Sequence, residues 1–191
     1  KAKFPTFYNG AVPPFGKLDA ALLVVGLAPG LKGANATGRP FTGDYAGIIL
    51  YHALAKMGFA RGEYKARPDD GFELVNARIT NAVRCVPPEN KPTPQEEKTC
   101  NQFLIKELAS MPNLQVIISL GLTSHQSVLR TFKLKIRDYK FAHGAVHHID
   151  TPIWRGILVD SYHTSRYNVQ TKRLTQEMFN AIVAKAKELL K

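Results

Sequence analysis

Apolar residues along this chain fall into short unbroken runs, separated by longer stretches in which they recur every three or four positions. Four runs stand out: ALLVVG (21–26), ARITNAV (77–83), QVIISLG (115–121) and GILVDSYH (156–163). Each is continuous instead of alternating and rich in β-branched or aliphatic residues, the pattern of parallel strands covered on both faces. YAGIILYHALAKMG (45–58) predicts a helix that stops at Gly58 as its C-cap. TPQEEKTCNQFLIKELASM (93–111) predicts another, with Thr93 as N-cap, Pro94 in the first helical position and Glu96 completing a capping box. A shorter helix is predicted from about Thr123 to Phe132. A last one, from about Thr175, places Met178, Phe179, Ile182, Val183, Ala186, Leu189 and Leu190 on one face. Strands alternating with helices predict an α/β fold, a three-layer α/β/α sandwich around a mainly parallel central sheet of about four strands. At 191 residues the expectation is one domain over 1–191, large enough to bury a real core.

Charge adds to this picture. Lys and Arg number 26 against 15 acidic residues, a formal net charge of +11. That balance favours a polyanionic partner such as nucleic acid, although a merely basic protein carries the same excess. No apolar run approaches the roughly 20 residues that span a bilayer, and no signal peptide is visible. The two cysteines, Cys85 and Cys100, do not make a secreted disulfide scaffold, so a reducing cytoplasm is the default setting. The first residue is Lys1, not Met, as expected of a chain whose N-terminal segment has been lost.

In a parallel sheet, ligands bind beyond the carboxyl ends of the strands. Three unusual segments fall there. GLAPGLKGANATGRPFTGD (26–44) follows the first strand and carries five glycines, yet matches neither a Walker A loop nor a dinucleotide fingerprint. Its glycines would let backbone amides approach a ligand, or would simply serve a strand-turn-helix connection. Asn81 to Cys85 ends the second strand. DSYHTSRYNVQTKRLT (160–175) ends the fourth, where His163 precedes hydroxyls, Arg166, Tyr167, Lys172 and Arg173, a mixture suited to gripping phosphates. A lone histidine is more often structural than catalytic.

Together, GLAPG…GRPFTGD, TNAVRCVPPENKPTPQEEKTC and SYHTSRYNVQTKRLT resemble the uracil-DNA glycosylase superfamily. The resemblance runs in order from about Phe15 to Phe179. Within the superfamily it points to the iron–sulfur branches of bacteria and archaea, of the type called family 5 or type b. The third segment is similar to the superfamily's His-Pro-Ser element, with Thr164 in place of the proline. The resemblance implies a DNA-repair glycosylase that flips uracil out of DNA and hydrolyses its N-glycosidic bond. It also implies a substrate range that extends to other deaminated bases, hypoxanthine among them. No motif here positions a lysine as a Schiff-base nucleophile, so a monofunctional enzyme is expected, acting as a monomer.

Site residues follow from the same resemblance. Phe41 is expected to stack on the flipped base and Asn81 to bond its edge, since a carboxamide offers both donor and acceptor. His163 would stabilise the anion formed as the bond breaks. Gly26, Leu27, Ala28 and Gly30 would line the base or adjacent phosphate. Many relatives carry a carboxylate or amide where Leu27 stands, and type b lacks that carboxylate. Asp44 is then the candidate to orient water, with Asn35 second, although Asp44 also suits the N-cap of the following helix. Ser165, Arg166, Tyr167, Asn168, Lys172 and Arg173 are the expected DNA-binding set. Tyr167 or Val169 would be the wedge in the minor groove. VPPENKPTP (86–94) would brace the damaged strand or only stiffen a loop.

Cys85 and Cys100 match two of the four ligands that hold a 4Fe–4S cluster in those branches. Either a preceding segment supplies the other pair, or this is a cluster-free relative with ordinary buried cysteines. A disulfide between the two is not expected in a reducing compartment. His143, His147 and His148 cluster in HGAVHHI, which is expected to be a strand or turn and not a metal site. Two rivals remain, a DNA-binding module without catalysis on the same fold and a nucleotide-binding flavodoxin-like protein.

Overall fold

The computed structural model describes residues 3–191. The chain enters with β1 (Leu22–Gly26), passes a one-turn helix α1 (Ala34–Thr37) and continues into α2 (Tyr45–Lys56). A small antiparallel pair, β2 (Ala60–Arg61) and β3 (Glu73–Leu74), precedes β4 (Ala77–Asn81). Then follow α3 (Pro94–Ala109), β5 (Val116–Leu120), α4 (Leu122–Thr131), β6 (Val146–Asp150), β7 (Arg155–Ser161), α5 (Arg166–Gln170) and α6 (Gln176–Glu188).

The main sheet has the order β4-β1-β5-β7-β6. β1 pairs parallel with β4 and β5, β5 pairs parallel with β7, and β6 returns antiparallel beside β7. Five strands therefore replace the four expected. The added one is VHHID, whose burial shows a single enclosed residue, Ile149. An edge strand of that kind has no continuous apolar run to announce it. Among the described residues no helix is long and apolar enough to cross a membrane.

Alternate residues of each strand feed two separate cores. Leu22, Val24, Val116, Ile118 and Val159 face α2 and α6, where they meet Leu50, Leu54, Phe179 and Val183. Leu23, Val25, Ile117 and Leu158 face α3 and α4, where they meet Leu104, Val128 and Leu129. β1 and β5 are buried on both faces along their whole length, which is why they read as nearly unbroken apolar runs.

The helix ends follow the sequence closely. Thr93 and Glu96 form the predicted capping box at the start of α3. The end of α2 differs by one position: Met57 is the C-cap, and Gly58 follows it in the left-handed conformation, φ 82°. α4 begins at Leu122, one residue early, on Gly121. The segment after His163 contains the short helix α5, which Ser165 caps by accepting from the Asn168 amide at 3.3 Å.

Phe179 is fully enclosed between α6 and the sheet. Truncating it to alanine is expected to cost about 3–5 kcal/mol. Urea denaturation of Phe179→Ala checks this, with a midpoint close to the parent's as the contrary outcome.

Candidate active site

The connection from β1 to α2 brings three strand ends to one place. Gly26 lies in register beside Asn81. A Cβ on Gly26 would overlap both the Asn81 carboxamide oxygen and the Phe41 ring, so only glycine permits this approach. The Ala82 and Val83 amides donate to the carbonyls of Gly26 and Leu27, both at 2.9 Å, and carry the pairing past the end of β4.

Phe41 is buried at 6% exposure with φ 53°, a conformation unfavourable for a bulky side chain. Such backbone strain costs on the order of 1–3 kcal/mol and persists only where the surroundings fix it. Here the Tyr51 hydroxyl donates to the Pro40 carbonyl at 2.5 Å and the Tyr64 hydroxyl to the Phe41 carbonyl at 3.0 Å. The His163 ring lies over Phe41, centroids 6.0 Å apart and 29° between planes.

Asp44 is the N-cap of α2, its Oδ1 accepting from the Gly47 amide at 3.3 Å. The other carboxylate oxygen packs on Gly30 and Gly33, and a side chain on Gly33 would collide with it. The loop glycines thus make room for the acid. Burial pushes the Asp44 carboxyl pKa up, and the Gly47 and Ala46 amides partly offset this. Burial also pushes the His163 imidazole down to about 4, so the ring is neutral at physiological pH.

Phe41, Asp44, Asn81 and His163 line one cavity of about 30 Å³, closed by Ala28, Gly30, Ala34 and Ala46. The Asn81 oxygen is buried there without a hydrogen-bond partner. Buried acceptors are paired as a rule, so this one is poised for a donor from a ligand. A larger cleft of about 690 Å³ shares Ala28, Gly30, Asp44, Ala46 and His163 with the cavity and reaches Lys32, Asn90, Ser165 and Arg166. Leu27 is half-buried on the cleft wall.

Other expected residues sit elsewhere. Asn35 is buried beneath the loop, its amide donating to Asn9 Oδ1 at 3.1 Å, and lines neither space. Val169 packs against the core, which leaves Tyr167, 70% exposed, as the side chain that stands out from α5. Asn168 turns inward and donates to the His163 carbonyl at 2.8 Å. Arg166 lies over the Tyr45 ring at 5.6 Å and Arg173 over the Tyr162 ring at 4.5 Å. Lys172 follows α5 with φ 56°.

One cluster escaped the sequence. Asp160, fully buried on β7, accepts from Ser119 Oγ at 2.7 Å and lies 2.8 Å from His125 Nδ1 and 2.9 Å from His147 Nε2. The three donor atoms of His125, His147 and Asp160 lie within 4.8 Å of one another. At 2.7–2.9 Å the Ser119 hydroxyl and the His125 and His147 ring nitrogens are all within direct hydrogen-bonding distance of the one carboxylate. His147 therefore belongs to a polar network behind β7. His143 instead accepts from the Tyr162 amide at 3.2 Å, and His148 is exposed. The participants are up to 41 positions apart in sequence, so no local spacing signals them.

The model of the uracil DNA glycosylase superfamily matches residues 13–187. The chain belongs to that superfamily. It is 43% identical over 183 residues to a type-5 uracil-DNA glycosylase of Thermus thermophilus, covering 96% of this chain and 82% of the relative. A second type-5 uracil-DNA glycosylase, from Pyrobaculum aerophilum, is 37% identical with 95% and 77% covered. A type-4 uracil-DNA glycosylase of Archaeoglobus fulgidus is 33% identical over 141 residues, 73% of this chain and 62% of the relative.

The cluster expected from the iron–sulfur branches would take Cys85, exposed just after β4, and Cys100, half-buried in α3. A four-iron cluster takes four thiolates, and these 191 residues contain two cysteines. The residues present do not by themselves fit the group.

Two measurements check the electrostatics. An NMR titration of the His163 imidazole is expected to show no change above about pH 5.5 and a midpoint near 4. Because the folded value is depressed, the stability tied to this group is present above the ordinary histidine value near 6.5 and is lost as pH falls through about 4. A midpoint near 6.5 contradicts the buried environment. Asp44 has the opposite sign: its raised value holds stability below the ordinary carboxylate range and loses it as pH rises through the folded value. Asp44→Asn, which keeps an N-cap acceptor, is therefore expected to be at least as stable as the parent in urea at pH 7. A clear loss of stability contradicts the assignment.

Proposed function

We propose that this chain is a monofunctional uracil-DNA glycosylase that flips uracil from DNA and hydrolyses its N-glycosidic bond, leaving an abasic site. The supporting observation is the unpartnered Asn81 oxygen in a cavity shared with Phe41, Asp44 and His163. Membership of the superfamily makes DNA the partner class, and the net charge of +11 fits that polyanion.

The reaction follows from the groups present. Arg166 and Lys32 on the cleft attract the phosphates, and exposed Tyr167 fills the gap that the departing base leaves. Lys172 and Arg173 extend the positive surface beyond α5. The flipped base stacks on Phe41 while Asn81 accepts from its imide N–H and donates to a carbonyl. As the bond between C1′ and N1 breaks, its electron pair moves onto the base. Neutral His163 donates a hydrogen bond to the carbonyl where that negative charge gathers. Water then adds to C1′ and gives up its proton. Asp44, made more basic by burial, orients that water and accepts the proton. No lysine acts as a nucleophile, and the small Ala28, Ala34 and Ala46 suit a site that takes other deaminated bases as well.

The reading extends to a monomer acting in the cytoplasm of a bacterial or archaeal cell. A cluster would draw Cys85 and Cys100 as two ligands, the others coming from outside these residues.

The test is cleavage of labelled duplexes carrying uracil opposite guanine or adenine, hypoxanthine opposite thymine, or no damage, followed by alkali. Cutting at uracil is expected, with a loss of about 10²–10³-fold in His163→Ala and a comparable loss in Asn81→Ala. Tight binding of uracil duplex without cleavage would instead favour a binding module.

A further inference from the structure

The segment from β2 to β3 lines neither the cavity nor the cleft, yet it sends two polar side chains behind Phe41. Asp70 receives both terminal nitrogens of Arg39, at 2.8 and 2.9 Å, and also accepts from the Lys65 and Phe72 amides at 3.0 and 3.1 Å. Its carboxylate is fully enclosed, and the Arg39 side chain is 7% exposed. The guanidinium holds that carboxyl well below the usual range. Arg39 Nε donates to Thr42 Oγ1 at 2.8 Å, and its guanidinium carbon lies 5.1–5.7 Å from the ring centroids of Phe15, Tyr51 and Tyr64. Tyr64, from the same segment, donates to the Phe41 carbonyl. Phe41 is thus held at its own carbonyl by Tyr64 and bracketed at Pro40 by Tyr51 and at Thr42 by Arg39.

A buried ion pair is a weak source of stability, because apolar residues of similar volume serve as well. What a guanidinium fork adds is direction: five donors in one plane fix where each acceptor must stand. Phe41, the residue with φ 53°, lies between Arg39 and its acceptor Thr42 in the chain. Gly47 completes the fit, since a side chain there would run into the Phe41 carbonyl.

We infer that Asp70, through Arg39, is a positioning residue for base recognition. Together with the Tyr64 hydroxyl it sets the plane of the Phe41 ring on which the flipped base stacks. The 60–75 segment thereby governs recognition of a base it never touches. The inference rests on the uracil reading above.

The experiment is a double-mutant cycle between Asp70→Asn and Phe41→Ala, read in single-turnover cleavage of a uracil duplex. Binding is measured in parallel to a non-cleavable 2′-fluoro-deoxyuridine duplex and to a duplex with an abasic analogue. Asp70→Asn is expected to slow cleavage about 10- to 100-fold and to weaken the fluoro-uridine complex. Affinity for the abasic duplex, which offers no base to stack, is expected to stay within about twofold of the parent's. In the Phe41→Ala background the Asp70 change is expected to cost no more than about twofold, since the ring is gone. Tyr64→Phe removes one hydroxyl and keeps the packing. It is expected to show a smaller loss with the same pattern, and it carries the test if Asp70→Asn does not fold. Additive losses in the cycle, or equal weakening on the abasic duplex, overturn the positioning role alone when the parent protein cuts uracil. A parent that leaves uracil uncut overturns the uracil reading, and this role with it.

Discussion

A side chain at position 26 would occupy the space where the Asn81 carboxamide and the Phe41 ring meet, and the parallel pairing of β1 with β4 fixes that meeting point. The register comes from strands buried on both faces, where a slip of one residue would exchange the two cores. The site therefore inherits its accuracy from the sheet. Loop 26–44 needs only to turn back over the strand end and bring Phe41 and Asp44 against a platform already set.

The cost of the arrangement is local and visible. An acceptor on Asn81 is left unpaired, which costs about 1–3 kcal/mol in a typical buried setting. Phe41 holds a strained backbone, and Asp44 is partly removed from water. Behind the sheet the opposite policy holds: buried Asp160 has three partners within hydrogen-bond distance. The contrast separates groups kept ready for a ligand from groups satisfied by the fold, and it is what proximity alone would not reveal.

Much of this was legible in the sequence because the four parallel strands are rich in β-branched and aliphatic residues and the helix caps use ordinary chemistry. The strand-end positions Gly26, Asn81 and His163 fall at one edge on topology alone, since parallel strands send every such end the same way. β6 was legible only as a strand or turn, because its edge position leaves Ile149 the one buried residue of five. Asn35 and Asp44 both lie in a glycine-rich loop, and nothing in composition says which one faces inward. The structure decides through Asn9, which takes the Asn35 amide, and through Gly33, which gives way to Asp44. Asp70 offered no signal at all, because its partner Arg39 lies 31 residues earlier.

The cavity of about 30 Å³ shares Ala28, Gly30, Asp44, Ala46 and His163 with the cleft of about 690 Å³, so the two adjoin. In the proposed reaction a base reaches Asn81 by way of that cleft, while its strand is gripped there. A free base brings only its own few contacts, whereas a base still joined to its strand brings the whole backbone with it. Once the glycosidic bond is cut that leverage ends, so the liberated base is held far more weakly than the nucleotide it came from.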